Sequence, residues 1–489
     1  MRARGVHLAV PLALLAASSF ATRAASADDC FHTRPTDPGG ANGYEYAPAE
    51  VRHFDGEKVR VFYAASGDHA PVLTSVRSDG VPDSVALVAS VTDDALARYA
   101  AMGYRAPISD STYDTCASNG GDGRFDVYLV RFGGADGVTV SEACKDVGKA
   151  TRCSGYIMAD STFSRSGYGS YAEGVRTVLP HETFHAIQNA YDAELDRAWA
   201  EGSAQWATKE LDPSLKDLER FLPAFFSDNS RSMDVPASGA TASYLYGAAI
   251  WPVFLSQRHG PAIVRRALEV EGESGGSSVA AVGVALSTLE KDPSSLESEL
   301  PLFAAWNLAT GKRAGQGGYT DAASYPMAKM LTLGAEAQGL TTGYAWFGYA
   351  LEASDEATRR DVSIETDPTR NVGLLVPLES GVPDLTRVKK LPATDVGPSW
   401  VVVAGVSPKK SDAPYVLRVV PHAVADAGVA SDAGGVPDAS DENGTVAESG
   451  CSVRRARSKS DSRVTLAACF GLVLTRVRVR SKRRALTRR

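Results

Sequence analysis

His181-Glu182-Thr183-Phe184-His185, followed by Trp199-Ala-Glu201-Gly-Ser-Ala-Gln-Trp206, is the stretch on which the reading of this chain turns. On a helix, residues i and i+4 project from one face, so His181 and His185 can offer both imidazoles to a single metal ion. Glu182, one residue on, then lies beside any water held there. A carboxylate from a second short helix, Glu201, can complete a two-histidine, one-glutamate set and leave the fourth position open. Two plainer readings stand beside this one: a solvated helix face, and a metal site of purely structural kind. Glu201 taken alone also reads as an exposed helix glutamate.

Local chemistry places the helix. Val175, Val178, Leu179, Phe184, Ile187 and Tyr191 recur at helical spacing, and Pro180 suits a first turn or a kink, which starts the metal helix near Leu179. Gln188 follows His181 and His185 on the same face, where it can orient Glu201 or meet substrate, or be an ordinary polar residue. On the second helix Gln205 shares a face with Glu201 and can support a ligand from behind. Ala204 suits a close approach of the two helices.

The expected cofactor is one Zn²⁺ ion, which lowers the pKa of its water from about 15.7 to about 7. Glu182 is then the general base as that water attacks a carbonyl, and the oxyanion needs a further donor. Ser243-Tyr-Leu-Tyr-Gly247 offers Tyr244 or Tyr246 for that role, although an aromatic residue at a helix start also suits a core.

These residues resemble a known group. His181-Glu-x-x-His185 with Glu201 in a Glu-Gly-x-Ala context is similar to the gluzincin metallopeptidases, with a shorter gap from His185 to Glu201 than is usual there. More narrowly, Gly67-Asp-His-Ala-Pro71, Asp79-Gly-Val-Pro-Asp83, Asp126-Val-Tyr-Leu129, His181 to Gln188, Trp199 to Trp206 and Phe303 to Gly311 resemble secreted metalloproteases of myxobacterial type, over roughly Tyr44 to Pro326. The resemblance implies a zinc endopeptidase-like fold with His181, His185 and Glu201 as ligands and Glu182 as base. It also implies a strand that edges the cleft and pairs with extended substrate, a role that falls to Gly155-Tyr-Ile-Met-Ala159. Tyr244-Leu-Tyr-Gly247 lacks the lysine of the aminopeptidase branch, so exopeptidase activity is not implied.

The ends of the chain point to export. Met1-Arg-Ala-Arg4, the apolar run Val6 to Ala17 and Ala25-Ser-Ala27 read as a signal peptide over residues 1–27. Cys451, a short apolar run from Val464 to Leu474 and the arginines from Arg476 resemble the C-terminal sorting signal of myxobacterial surface proteins. The run is shorter than the roughly 20 residues that span a bilayer, so a transient membrane contact and a plain basic tail both stand. That segment carries thirteen Lys or Arg and one Asp, so the formal charge of −7 becomes about −19 on the rest. An acidic body speaks against a nucleic-acid partner. Of the remaining cysteines, Cys144 with Cys153 closes a short loop and Cys30 with Cys116 would tie down the mature N-terminus. Three connectivities are open to four cysteines.

Between the ends, Val59 to Ala64 and Arg124 to Phe132 read as strands, the latter apolar on both faces and hence central, and Ser84 to Met102 as a helix. The oxygens of Asn119-Gly-Gly-Asp122-Gly-Arg-Phe-Asp126 could hold Ca²⁺, but the spacing is not that of an EF-hand and a glycine-rich turn is the better reading. Ala248 to Gln257, Pro261 to Val270, Val279 to Leu289 and Ser295 to Leu308 read as helices. From about Thr341 short β segments take over: Val362 to Glu365, Val372 to Val376, Trp400 to Val403 and Tyr415 to Val420. The expected fold class is therefore an α+β zincin-like catalytic domain over 28–335, followed by an all-β sandwich over 336–422. In the first, a mixed sheet and the metal-binding helix occupy 44–191 and a helical lower half occupies 192–335. The sandwich can bind substrate or a surface, or be structural. A flexible linker, 423–450, and the sorting segment, 451–489, complete the chain.

The expected function is that of an exported or surface-tethered zinc endopeptidase acting on protein or peptide substrates. Nothing in the sequence sets the oligomeric state. Two rivals are a hydrolytically silent adhesin on a zincin scaffold and a zinc amidohydrolase acting on cell-wall amides. Glu182 speaks against the silent reading, because holding a metal needs no base beside it.

Overall fold

Short β-branched and aromatic runs between Val51 and Asp160 build a five-stranded sheet, and two amphipathic helices cover one of its faces. The strands are β1 (Val51–Asp55), β2 (Val59–Ala64), β3 (Phe125–Val130), β4 (Gly137–Val147) and β5 (Ala150–Asp160), in the order β1-β2-β3-β5-β4. β2, β3 and β5 are mutually parallel, while β1 and β4 run antiparallel at the two edges. A computed structural model describes residues 34–41, 43–113, 120–164, 167–235, 242–351, 359–395 and 397–422. The signal peptide, the linker, the sorting segment and the pairing of Cys30 with Cys116 all lie outside the described residues, as does Asn119 of the glycine-rich loop.

Alternation along the strands sorts the two faces. Val59, Val61, Val127, Leu129, Ile157 and Ala159 face α1 (Asp83–Ala101) and α2 (Tyr171–Gln188). Phe62, Tyr128, Val130, Tyr156 and Met158 form a second apolar layer with Tyr46 and Phe132 on the other face. β3, buried on both faces, lies in the middle. The Gly155–Ala159 segment does not edge the cleft as expected. It belongs to β5, which is covered by β4 and β3, and β4 is the edge strand that runs along α2. The partners Cys144 and Cys153 are joined by a disulfide across the β4–β5 pair.

One guanidinium ties the segment before β1 to this sheet. Arg34, 2 % exposed, reaches Glu142 on β4 through two hydrogen bonds of 2.7 Å, Asp126 on β3 at 2.5 Å and Asp110 at 3.0 Å.

After α2 the chain becomes helical: α3 (Arg197–Leu211), α4 (Asp217–Ser227), α5 (Ala242–Gly247), α6 (Ile250–His259), α7 (Ala262–Ser274), α8 (Ser278–Ser287) and α9 (Leu296–Leu308). Strands then return: β6 (Leu331–Leu333), β7 (Glu336–Thr342), β8 (Trp346–Leu351), β9 (Arg360–Thr366), β10 (Asn371–Glu379), β11 (Val382–Pro383), β12 (Lys389–Lys390), β13 (Ala393–Asp395), β14 (Ser399–Gly405) and β15 (Asp412–Pro421). β11-β10-β14-β8-β6, with β12 beside β10, form one sheet, and β13-β9-β15-β7 another. Leu375, Val401 and Val403 of the first meet Val362, Tyr415 and Leu417 of the second in a common core. The architecture is thus a mixed α/β fold with several sheets. The outer face of the six-stranded sheet is not free, since Trp346, Val376, Trp400 and Val402 share an apolar cluster with Phe303 and Leu308 of α9. No described helix is long and apolar enough to cross a membrane.

Candidate metal centre

α2 begins eight residues before the expected start near Leu179. Ser170 accepts a hydrogen bond from the Glu173 N–H at 3.1 Å, and the Glu173 carboxylate reaches back to the Gly169 N–H at 2.8 Å. This capping pair fixes the first turn. Pro180 therefore sits inside the helix, where it can donate nothing to the carbonyl of Arg176. Burial on both sides of it offsets the loss: Val175 and Leu179 pack on the sheet, Phe184 and Ile187 on the helical core.

The helical period brings His181 and His185 together, their Nε2 atoms 3.1 Å apart. α3 supplies the third group: Glu201 Oε2 lies 3.2 Å from His181 Nε2 and 3.4 Å from His185 Nε2, so the short gap between His185 and Glu201 suffices. On its other neighbour α3 is also close: a Cβ on Gly202 would meet the Ala248 backbone, between α5 and α6, at 3.0 Å. His181, His185 and Glu201 form a group that could hold a metal ion.

The donor set and its support fit such an ion. Gln188 gives its amide N–H groups to the Ala200 carbonyl at 2.8 Å and to Ser203 Oγ at 2.9 Å. A carbonyl can only accept, so Gln188 Oε1 must face His185 Nδ1, 2.7 Å away, and Nδ1 must carry the proton. The Nε2 lone pair of His185 is thereby directed at His181 and Glu201. Ligands about 2.0–2.1 Å from a tetrahedral ion stand about 3.3 Å apart, which is the spacing found here. Two nitrogens and one carboxylate do not suit Ca²⁺ or Mg²⁺, which take oxygen. Without an ion, burial works against a charge on His185, but the hydrogen bond and charge of Glu201, with Glu182 behind, raise its pKa to about 9. Burial likewise opposes the charge on Glu201, and the two imidazoles hold it well below the usual carboxylate range.

Glu182 faces the open side of the group. Thr139 Oγ1 lies 2.9 Å from Glu182 Oε2 and 2.7 Å from the Glu182 carbonyl, so its one proton serves either. The edge strand approaches closely here, and a Cβ on Gly137 would meet Glu182 Cγ at 2.9 Å. Tyr246 is also at the site, its ring centroid 5.6 Å from that of His181. Gly247 lets α5 press against α4, since a Cβ there would meet the Phe221 carbonyl oxygen at 2.6 Å, and Phe221 in turn packs on Tyr246 at 4.9 Å. Burial, then the charges of Glu201 and Glu182, push the Tyr246 phenol up, so it keeps its proton.

Two expected residues stand elsewhere. Tyr244 is a core residue, with Phe225 5.1 Å from its ring and the Arg231 guanidinium over it, because the two-residue offset from Tyr246 turns it to the opposite side of α5. Gln205 touches no ligand and donates instead to Asp217 Oδ2 at 3.0 Å. Burial raises the pKa of Asp217, with Gln205 and Arg220 opposing the shift. Thr139, Gly137, Asp136, Tyr168, Asp217 and Phe221 were not anticipated. They come from β4, the residue before it, the loop leading into α2, and α4, and no local motif marks them.

Two recesses meet at the group. One, about 370 Å³, runs along β4 past Glu182, His185, Gln188, Asn189 and Arg197, and the other, about 310 Å³, passes His181, Glu182 and Tyr246 towards Asp136 and Asp217. No protein-family model matches the chain, and no curated protein matches it. Among solved structures, a periplasmic inhibitor of g-type lysozyme from Aeromonas hydrophila aligns with 19 % of this chain and 96 % of its own, at 13 % identity and a TM-score of 0.15. A likeness that slight carries no argument about fold or function.

Proposed function

We propose that this chain is an exported zinc endopeptidase of gluzincin type. Its catalytic domain would be a zincin-like α+β body over 28–335, followed by a β-sandwich over 336–422. The observation that carries the reading is the convergence of His181, His185 and Glu201 within 3.4 Å, with Gln188 turning His185 towards that point and Glu182 beside it. Zinc is the ion that a two-histidine, one-glutamate set with an open position most often holds, and when bound it supplies Lewis acidity and a nucleophile at neutral pH.

The chain's own groups supply the rest. An extended peptide adds to the exposed edge of β4, which sets its backbone along the two recesses. Thr139 steadies Glu182, which accepts a proton from the attacking water and returns it to the leaving nitrogen. Tyr246, protonated across the neutral range, donates to the developing oxyanion. The Cys144–Cys153 disulfide suits an oxidising compartment, in keeping with the export signal read in residues 1–27.

Digestion of an unfolded protein separates this reading from its rivals. Wild type should release peptides and Glu182→Gln should not, with both retaining zinc. Cleavage of muropeptide amides alone would indicate an amidohydrolase, and zinc retention with no hydrolysis of either substrate would indicate a silent scaffold.

A further inference from the structure

We propose that the recess between His181 and Asp217 receives a cationic side chain of the substrate, lysine or arginine, next to the bond that is cut. The inference rests on the peptidase reading for its substrate, but its physical basis is the recess itself.

The recess is a cavity of about 310 Å³ that opens beside His181, Glu182 and Tyr246, so whatever fills it lies adjacent to the reacting groups. Gly134, Ala135 and Gly137 line it with little or no side chain to fill it, and a Cβ on Gly137 would already strike Val178 and Glu182. Its walls are aromatic: Tyr168, Phe221 and Tyr246, the last two packed at 4.9 Å. Such faces accept an alkyl stem and attract a cation.

Charge selects among the side chains of that length. Asp136 and Asp217 line the recess, and among the described residues no lysine or arginine does. Each carboxylate is held in place: Asp217 takes Gln205 Nε2 on one oxygen and Arg220 on the other, both at 3.0 Å, and Asp136 Oδ2 accepts from the Tyr168 hydroxyl at 3.3 Å. Arg220 binds from outside and is half exposed, so it does not fill the cavity. Carboxylate oxygens have more than one acceptor site, so the partners named do not by themselves exhaust either group. A carboxylate substrate side chain would meet two like charges there, and an apolar one would leave both without gain.

The experiment has two arms. In the first, zinc-loaded wild type, Asp217→Asn and Asp136→Asn are given peptides that differ only by lysine, arginine, norleucine or glutamate at one position beside the scissile bond. The ratio of lysine to norleucine cleavage, which is insensitive to the fraction of folded enzyme, should be about tenfold or more in wild type and fall towards one in each variant. A preference for norleucine or glutamate, or a lysine preference that both variants keep, would overturn the proposal. In the second, Nα-acetyl-lysinamide and Nα-acetyl-norleucinamide are titrated into Glu182→Gln. Saturable binding of the lysine compound alone, lost in Glu182→Gln/Asp217→Asn, supports the recess even where wild type cuts no peptide. Equal binding of the two compounds, or none of either, would overturn it while leaving the peptidase reading to the digestion test.

Discussion

The orientation of His185 is decided by Gln188, whose amide is itself pinned by the Ala200 carbonyl and Ser203. Replacing Gln188 by Leu keeps the volume but frees the imidazole to rotate, and zinc affinity should fall about 10- to 100-fold, measured by competition with a chelator. Unchanged affinity would remove Gln188 from the site. Tyr246→Phe leaves the ring packed on Phe221 and takes away the donor, so kcat should drop about 100- to 1,000-fold with zinc content unchanged. At this scale the sequence was most legible where spacing along one helix decides contact: His181, His185 and Gln188 share a face by periodicity alone, with Glu182 one residue round from it. It was least legible where a second element must arrive. Nothing local distinguishes Thr139 from any strand threonine, or Asp217 from any helix-start aspartate, until β4 and α4 are folded against α2. Tyr244 and Tyr246 show the limit within one element, since only the packing of α5 decides which of them faces the histidines.

Between α6 and α9, one carboxylate does what sequence spacing could not foretell. Glu299, in the first turn of α9 and 1 % exposed, receives two hydrogen bonds from Arg258, at 2.6 and 3.1 Å, and one from Ser294 at 2.6 Å, with His259 Nε2 3.3 Å away. Burial opposes its charge, yet His259, Arg258 and Ser294 together hold its pKa down to about 2. An unfolded glutamate titrates near 4.3, so the folded state binds its proton later. The resulting stabilisation, about 3 kcal/mol, is fully present above the unfolded pKa and is lost as pH falls from about 4.3 through 2. Urea unfolding of Glu299→Gln should show about 2–3 kcal/mol less stability than wild type at pH 6 and a much smaller difference near pH 2. A difference that stays constant between those pH values would contradict the assignment. Element boundaries were readable where capping chemistry accompanies the periodic pattern. Ser170 and Glu173 have the Ser-x-x-Glu spacing of a capped helix start, whereas weight placed on Pro180 moved the expected start of α2 too far along. Proline was tolerated because the flanking residues are buried, which is a tertiary fact.

Across the whole molecule, the strand and helix patterns pointed to an α+β chain with a β-rich end, and a mixed fold of helices and several sheets is what the structure has. The packing of the β-rich end on α9 was not legible, because Trp346, Trp400 and Leu308 are distant in sequence and carry no mark of their common cluster. The five-stranded sheet likewise depends on a residue outside it. Arg34 neutralises carboxylates from β3, β4 and the turn at Asp110, two buried and that of Glu142 partly so, and Arg34→Met should cost about 3–5 kcal/mol of stability by removing their shared cation. Denaturant unfolding reads this directly, and a loss below 1 kcal/mol would mean that the carboxylates find other partners. Because β4 also carries Thr139 and borders both recesses, the sheet and the metal group are one structural problem. The most direct test of the account is a zinc titration of the metal-free protein with hydrolysis of an unfolded protein followed at each addition. Activity should rise linearly and saturate at one equivalent in wild type, while Glu182→Gln takes up the same equivalent and hydrolyses nothing. Activity that is indifferent to zinc, or one equivalent bound tightly by wild type with no peptide released, would contradict it.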